Sequence, residues 1–337
     1  MKARFINLAF LVFLCYNLAS SKGEGIMKTI DLIKEAKNYT LSYNDTLDLP
    51  MNYTFGVEIE FNNLKLYKAE EMFKDLINRD YDSWNVKEEG TIHGDFADID
   101  KYEDLIGGEV SSHIMSGTRM DWYELKRVCL ELAQAGAITD EVCASHVHFD
   151  KKAIIDAEVC ENLILLYAAY EDAMLGFLAA EQKEPAKFAC AEPIRDAVIL
   201  KSHLSDLVNP KSFDTLMDLY EFDLHKDRAL RFCFLRSTLD ALPTIEFRRA
   251  NGTLSPEIWQ NLILFYNLLL KYANSRNYDL ELIKNHLEAL NEDQSIYKFI
   301  ELLNLITNDE EQKISFLKQK VSQGEELLQG TLLKRVK

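Results

Sequence analysis

The sequence predicts an α+β fold: a curved, mainly antiparallel sheet flanked by helices, with a helical C-terminal appendage. Three observations carry this. Strand-like and helix-like stretches are mixed without the regular β-α alternation of a doubly wound parallel sheet. The glycine-rich phosphate cradles that often accompany such sheets are absent. Four short stretches alternate apolar and ionisable residues with a period of two, as strands do when one face covers a core.

At the N-terminus, Lys2 and Arg4 precede an apolar run from Phe5 to Leu14, and Ala19-Ser20-Ser21 resembles a small-residue cleavage site. That is the outline of a secretory signal peptide, and the run is short for a membrane span. A second reading starts translation at Met27, because codons for Lys22-Gly23-Glu24-Gly25 can spell a purine-rich ribosome-binding site. Residues 1–26 are therefore set apart as a leader. An N-terminal arm, 27–52, opens with an amphipathic helix over Met27–Lys37, with Thr29 as its cap.

The expected catalytic domain, 53–275, begins with the strand Phe55–Phe61 and a helix over Ala69–Arg79. Trp84–Lys87 is strand-like, Glu89-Gly90-Thr91 a turn, 95–104 an acidic loop, and Gly107-Gly108 releases the extended Glu109-Val110-Ser111. A helix over Tyr123–Ala135 ends at Gly136, and Cys143–Asp150 alternates as a strand. Ala153–Ala180 is apolar enough to be a helix packed under the sheet. Residues 181–227 mix helix and loop; Arg231–Leu235 and Pro243–Arg249 read as strands. Asn251-Gly252 is a turn, and Ser255-Pro256-Glu257 combines a serine cap with proline at the first helical position of a helix running to about Tyr272. The extension, 276–337, is helical and increasingly charged, suited to packing or to a homo-oligomer.

At 337 residues the chain can bury one large core or two modest ones. Its formal charge of −17 leaves no basic stripe for phosphates, which argues against a nucleic-acid partner, and no membrane span is expected. The six cysteines show no C-x-x-C pair and mostly lie in apolar runs, so buried free thiols are expected rather than a disulfide framework or zinc knuckle.

The chemistry concentrates in the alternating stretches. In Phe55–Phe61 the apolar residues face one way while Gly56, Glu58 and Glu60 face the other, standing the two carboxylates about 6–7 Å apart. Like charges at that spacing, on an apolar strand, call for a cation or a proton. In Ala144–Phe149, His146 and His148 share a face; in Thr244–Arg248, Glu246 and Arg248 do; Glu109 adds a carboxylate. A lone H-x-H is more often packing, and a lone E-x-R a solvated ion pair. As neighbours in one sheet the four would form a polar face suited to magnesium or manganese, with an arginine beside the metals to clamp phosphate.

Gly56-x-Glu58-x-Glu60, Glu109-Val110-Ser111, His146-x-His148 and Glu246-Phe247-Arg248 with Asn251-Gly252-Thr253 together resemble, in order and spacing, the amidoligase family of carboxylate–amine ligases, whose catalytic core is related to glutamine synthetase. The resemblance spans about Phe55 to Tyr272, and Glu89-Gly90-Thr91 stands where that family usually has Asp-Gly-Ser. It implies ATP and Mg2+ (or Mn2+) as cofactors. Glu58, Glu60, Glu109, His146 and Glu246 would hold metal. His148, Arg248 and, more weakly, Lys87 would face the nucleotide phosphates. Glu246 and Arg248 would serve catalysis. The partners implied are a small-molecule or peptide carboxylate and an amine. An ATP-dependent reaction favours a cytoplasmic protein and the Met27 start, although the signal-like leader leaves export open.

For the substrate carboxylate, Arg195, Arg228, Arg231 and Arg236 are available; Arg236, just after a strand-like run, is the choice, with Glu89 beside it. Cys143 and Cys233 read as core packing. A metal-dependent hydrolase using His146-x-His148-x-Asp150 is the alternative, but it leaves Glu58, Glu60 and Glu246 without a task. A guanidino-kinase-like phosphotransferase has no further support, and a non-catalytic binding module would not need every ionisable position filled.

Overall fold

A computed structural model of the chain describes residues 23–79, 82–89, 92, 105–180, 191–199, 212–213, 215–216, 228–235, 242–288 and 296–322. The leader through residue 22, the 95–104 loop, most of 181–227 and Arg236 lie outside these.

The central strand β1 (Phe55–Lys65) pairs on one side with β3 (Ile106–Ser111) and on the other with β4 (Ala144–Asp150). With β2 (Asn85–Lys87), β5 (Leu230–Phe232) and β6 (Thr244–Asn251) they form a six-stranded antiparallel sheet in the order β2-β3-β1-β4-β6-β5. Helices flank it, giving the α+β class that the alternating stretches predicted. Two glycines let the β2-β3-β1 edge close. Gly107 has φ +88°, and a Cβ on Gly108 would fall 2.8 Å from the Lys87 carbonyl oxygen.

The apolar face of the sheet is sealed. Val57, Ile59, Phe61, Val147, Phe149, Ile245 and Phe247 are all buried. Over them lie α5 (Ala157–Leu178) and α6 (Pro256–Ala273). Phe247 stacks on Tyr266 of α6 at 4.2 Å and 11°, and meets Tyr167 of α5 at 6.1 Å. Burying a phenylalanine of this kind is worth roughly 2–3 kcal/mol.

Two expected boundaries move at the N-terminal side. α1 covers Gly23–Asn38, so Thr29 lies inside it rather than at its cap. The Ala69–Arg79 helix is two pieces, α2 (Leu66–Met72) and α3 (Lys74–Ile77), because Phe73 leaves helical geometry (φ −101°, ψ 17°) while its ring stays buried.

Further along, α4 (Arg119–Gln134) begins four residues before the expected Tyr123. Thr118 and Asp121 form a reciprocal capping box there, and Gly136 (φ +90°) closes the end. α5 starts later than expected, where Asp156 accepts the Val159 N–H. The Arg231–Leu235 strand is shorter: β5 ends at Phe232, and Cys233–Leu235 turns as a 3-10 helix. α6 has the expected Ser255 cap and Pro256.

The C-terminal helices α7 (Leu280–Glu288), α8 (Ile296–Ile306) and α9 (Glu310–Ser322) pack onto the same body. Gln319 and Lys320 of α9 donate to the carbonyls of Phe177 (2.9 Å) and Ala173 (2.7 Å) in α5, and Lys318 donates to that of Lys37 in α1 (3.1 Å). Among the described residues no helix is long and apolar enough to cross a membrane. Cys129, Cys143, Cys160 and Cys233 are buried free thiols; Cys15 and Cys190 lie outside the described residues.

Candidate active site

Antiparallel register brings the ionisable residues into rows. Glu58 of β1 stands opposite His146 of β4, and Glu60 opposite Glu109 of β3, which in turn faces Lys87 of β2. His148 of β4 faces Glu246 of β6, which faces Arg231 of β5. Every strand therefore contributes a charged or titratable side chain to the face opposite the core.

One irregularity lies beside Arg248. Ser145 pairs with Ala250 but Val147 with Phe247, so β6 carries one extra residue against His146. This bulge places Arg248 and Arg249 opposite a single histidine. The guanidinium of Arg248 is hydrogen-bonded to Glu246 Oε1, while that of Arg249 reaches the Ala191 carbonyl.

The face holds a dense set of contacts. His146 Nδ1 is 3.0 Å from Glu58 Oε2, and His148 Nε2 is 3.3 Å from Glu58 Oε1. Glu60 Oε2 accepts the backbone N–H of Ala144 (2.7 Å), so this carboxylate also ties down the start of β4. Glu109 accepts from Ser111 Oγ (2.5 Å) and pairs with Lys87 Nζ (3.0 Å). Arg231 pairs with Glu246 Oε2 at 3.0 Å. Glu60, Glu109, His146 and Glu246 are all 3 % exposed or less.

Burial and charge shape the titration. Burial pushes Glu109 up to about 7, helped by the neighbouring Glu58 charge and opposed by Lys87. Glu60 is also raised, by burial, against the pull of His146 and the Ala144 N–H. Burial would raise Glu58 as well, but the hydrogen bond from His146 and the charges of both histidines outweigh it and hold that carboxyl well below the usual range. The same balance, with His148 and Arg248 as the main opposing charges, leaves Glu246 at about 2. Burial works against a charged His148, yet the Glu246 and Glu58 charges beside it raise it to about 10. At neutral pH the face thus carries a mixture of bound protons and opposed charges.

Three groupings here can hold a metal ion: Glu60 with Glu89 and Glu109; Glu58 with His146 and Glu246; and His148 with Cys233 and Glu246. The first two are oxygen-rich with at most one imidazole, the donor set of magnesium or manganese. The residues fit such ions in a further respect. Nε2 of both His146 and His148 is buried without a hydrogen bond, which is costly unless a ligand takes it up.

The chain matches the family described as "putative amidoligase enzyme" over residues 51–270, about two thirds of its length. The chain belongs to that family. No curated protein matches it. Membership of this family indicates an enzyme of the ligase type, and the matched segment contains every strand of the sheet and most of α6.

Against the sequence expectations, the amidoligase chain brings together Glu58, Glu60, Glu109, His146, His148, Glu246, Arg248 and Lys87. Glu89, expected to contact substrate, stands with Glu60 and Glu109 as a third carboxylate. Arg236, the arginine chosen for the substrate, lies outside the described residues. Of the other three, Arg195 pairs with Asp172 and Arg228 with Glu192, away from the polar face, whereas Arg231 is on it.

Sequence reasoning passed over two residues of the face. Leu230-Arg231-Phe232 has the same apolar–charged–apolar alternation as the other motifs, which was the available signal for Arg231. Cys233 had none, since its position depends on the turn after β5: its Sγ lies 3.4 Å from Glu246 Oε2. Cys143 is buried near Asp140, as core packing would have it. Asp150, which the hydrolase reading needs, caps the 3-10 turn by accepting the Lys152 N–H (3.0 Å) and joins none of the metal-capable groupings.

Proposed function

We propose that the protein is an ATP-dependent carboxylate–amine ligase that activates its acid as an acyl phosphate. The observation that supports this most is the convergence of Glu58, Glu60, Glu109, Glu246, His146 and Arg248 on one face of one sheet. A carboxylate is a poor electrophile. In the proposed reaction one of its oxygens attacks the γ-phosphorus of ATP and the bond to ADP breaks. The amine then attacks the acyl carbon, loses a proton and expels phosphate, leaving an amide.

Such a phosphoryl transfer needs cationic positioning more than a nucleophile from the protein. Magnesium, when bound, would neutralise charge on the phosphates. In this reading Glu60, Glu109 and Glu89 hold one ion, and Glu58, His146 and Glu246 a second. Arg248 grips the transferring phosphoryl group through its planar fork, while Glu246 keeps that fork oriented beforehand. Arg231, on the opposite side of Glu246, is placed to meet the substrate carboxylate or the acyl phosphate. Lys87, half-exposed at the β2 edge, meets the outer phosphates.

The test needs no knowledge of the acid or amine. Thermal unfolding of the chain from Met27 is followed with Mg2+ alone, with a non-hydrolysable ATP analogue alone, and with both. Binding to the native state raises the midpoint with ligand concentration. The expected result is a shift that requires both ligands and disappears in Glu58→Gln. No nucleotide effect in the wild-type protein at any Mg2+ concentration overturns the reading.

A further inference from the structure

At the β5 end of the polar face a sulfur joins the oxygens and nitrogens. Cys233 Sγ is 3.4 Å from Glu246 Oε2, His148 Nε2 is 3.6 Å from Glu246 Oε1, and one ligand atom from each residue lies within 4.8 Å of the other two. His148 is only 8 % exposed. Its Nδ1 is tied to Thr244 Oγ1 at 3.1 Å, while its Nε2 makes no hydrogen bond. A hydrogen bond at one ring nitrogen that orients the other is the usual support of a metal-ligating histidine.

We propose that Cys233, His148 and Glu246 form a thiolate–imidazole–carboxylate site for a zinc-class divalent cation, distinct in chemistry from the oxygen-rich groupings beside it. Four-coordinate zinc, with its sulfur at about 2.3 Å and its nitrogen or oxygen ligands at about 2.0–2.1 Å, holds neighbouring ligand atoms roughly 3.3–3.6 Å apart. The 3.4 and 3.6 Å separations fall in that range, each to a different oxygen of the Glu246 carboxylate. Magnesium takes oxygen donors and tolerates a single imidazole but does not seek thiolate, so the two kinds of site are filled by different ions. The neighbouring Glu58 carboxylate, 3.3 Å from His148 Nε2, adds negative field to offset Arg231 and Arg248.

Sharing of Glu246 gives the site a consequence. A cation bound by Cys233 and His148 takes Glu246 from Arg231 and from the Glu58–His146 grouping, so zinc opposes the arrangement on which the ligase reading rests. Binding itself does not depend on that reading.

The test uses the full chain stripped of metals with a chelator and titrated with Co2+, a coloured stand-in for zinc. At one equivalent, a thiolate-to-cobalt charge-transfer band and the intense visible bands of four-coordinate cobalt are expected. Both should survive a large excess of Mg2+ and vanish on adding one equivalent of Zn2+. Cys233→Ser should abolish the charge-transfer band and weaken zinc at least tenfold in competition with a chromophoric chelator. In His148→Gln, the second variant, the band should persist weakened while the four-coordinate intensity falls. Absence of the band in the wild-type protein, its loss to Mg2+, or its survival unchanged in a folded Cys233→Ser overturns the proposal. The nucleotide-and-magnesium thermal shift is read separately, so failure of either idea is seen without the other.

Discussion

On one face of the sheet, Val57, Ile59, Phe149, Ile245 and Phe247 are fully buried against α5 and α6, ring against ring. On the other face of the same strands, Glu58, Glu60, His146, His148, Glu246 and Arg248 crowd together, with carboxyls shifted in opposite directions. The first face is at a minimum as it stands. The second holds opposed charges, bound protons and two imidazole nitrogens without hydrogen bonds. A fold does not need the second arrangement, since an apolar or simply solvated surface would be more stable. The sealed face fixes strand positions to within the tolerance of a packed core, and the polar face uses that rigidity for chemistry.

The comparison can be broken most decisively at Glu246. Glu246→Gln keeps the shape of a residue bonded to both Arg231 and Arg248 but removes its charge. Loss of at least about 10³-fold in kcat is expected with the fold retained. Ligase turnover near the wild-type rate in that variant would refute its role on the polar face.

On the sealed face, Phe247→Ala should cost about 3–5 kcal/mol of stability by leaving a cavity against Tyr266 and Tyr167. Its effect belongs in the unfolding midpoint, with the catalytic constants of the still-folded fraction little changed. A variant of ordinary stability with lost turnover would merge the two faces functionally.

Arg248→Lys keeps the charge and loses the planar fork, so a fall of about 10²-fold in kcat is expected with stability nearly unaltered. Near-normal kinetics would make Arg248 a structural partner of Glu246 only.

The smallest effect sharpens the comparison by testing a buried carboxylate away from the polar face. Glu171 of α5 accepts the N–H groups of Ile194 and Arg195, and burial raises it to about 7 despite the nearby Arg249. A folded-state value above the unfolded one means that the protonated form favours folding. The stability it contributes is fully present below about 4.5 and is lost as pH rises through about 7. Glu171→Gln should flatten that part of the profile by on the order of 2 kcal/mol, measured by urea denaturation at pH 4.5 and 8. An unchanged pH profile would mean that Glu171 titrates normally.

Much of this was legible in advance because alternation is a local property. A strand with period two separates its own faces before it meets a neighbour, so Glu58 with Glu60, His146 with His148, and Glu246 with Arg248 could each be paired from spacing. Ser255-Pro256 marked the start of α6 for the same reason: caps act within one turn. What failed was of longer range. Phe73 interrupts a helical pattern while keeping its ring in the core. The place of Arg231 was not legible because β5 is three residues long, and only pairing with β6 sets it against Glu246.

The sequence by itself determined the α+β class, the two-faced strands and the family, all of which follow from residue identity at short spacing. Tertiary structure alone decided which strand lies beside which, the extra residue in β6 that sets both Arg248 and Arg249 against His146, and the turn that carries Cys233 to Glu246. Those are matters of register and bulge, where a shift of one residue sends a side chain to the opposite face, and they are fixed by partners far away in the chain.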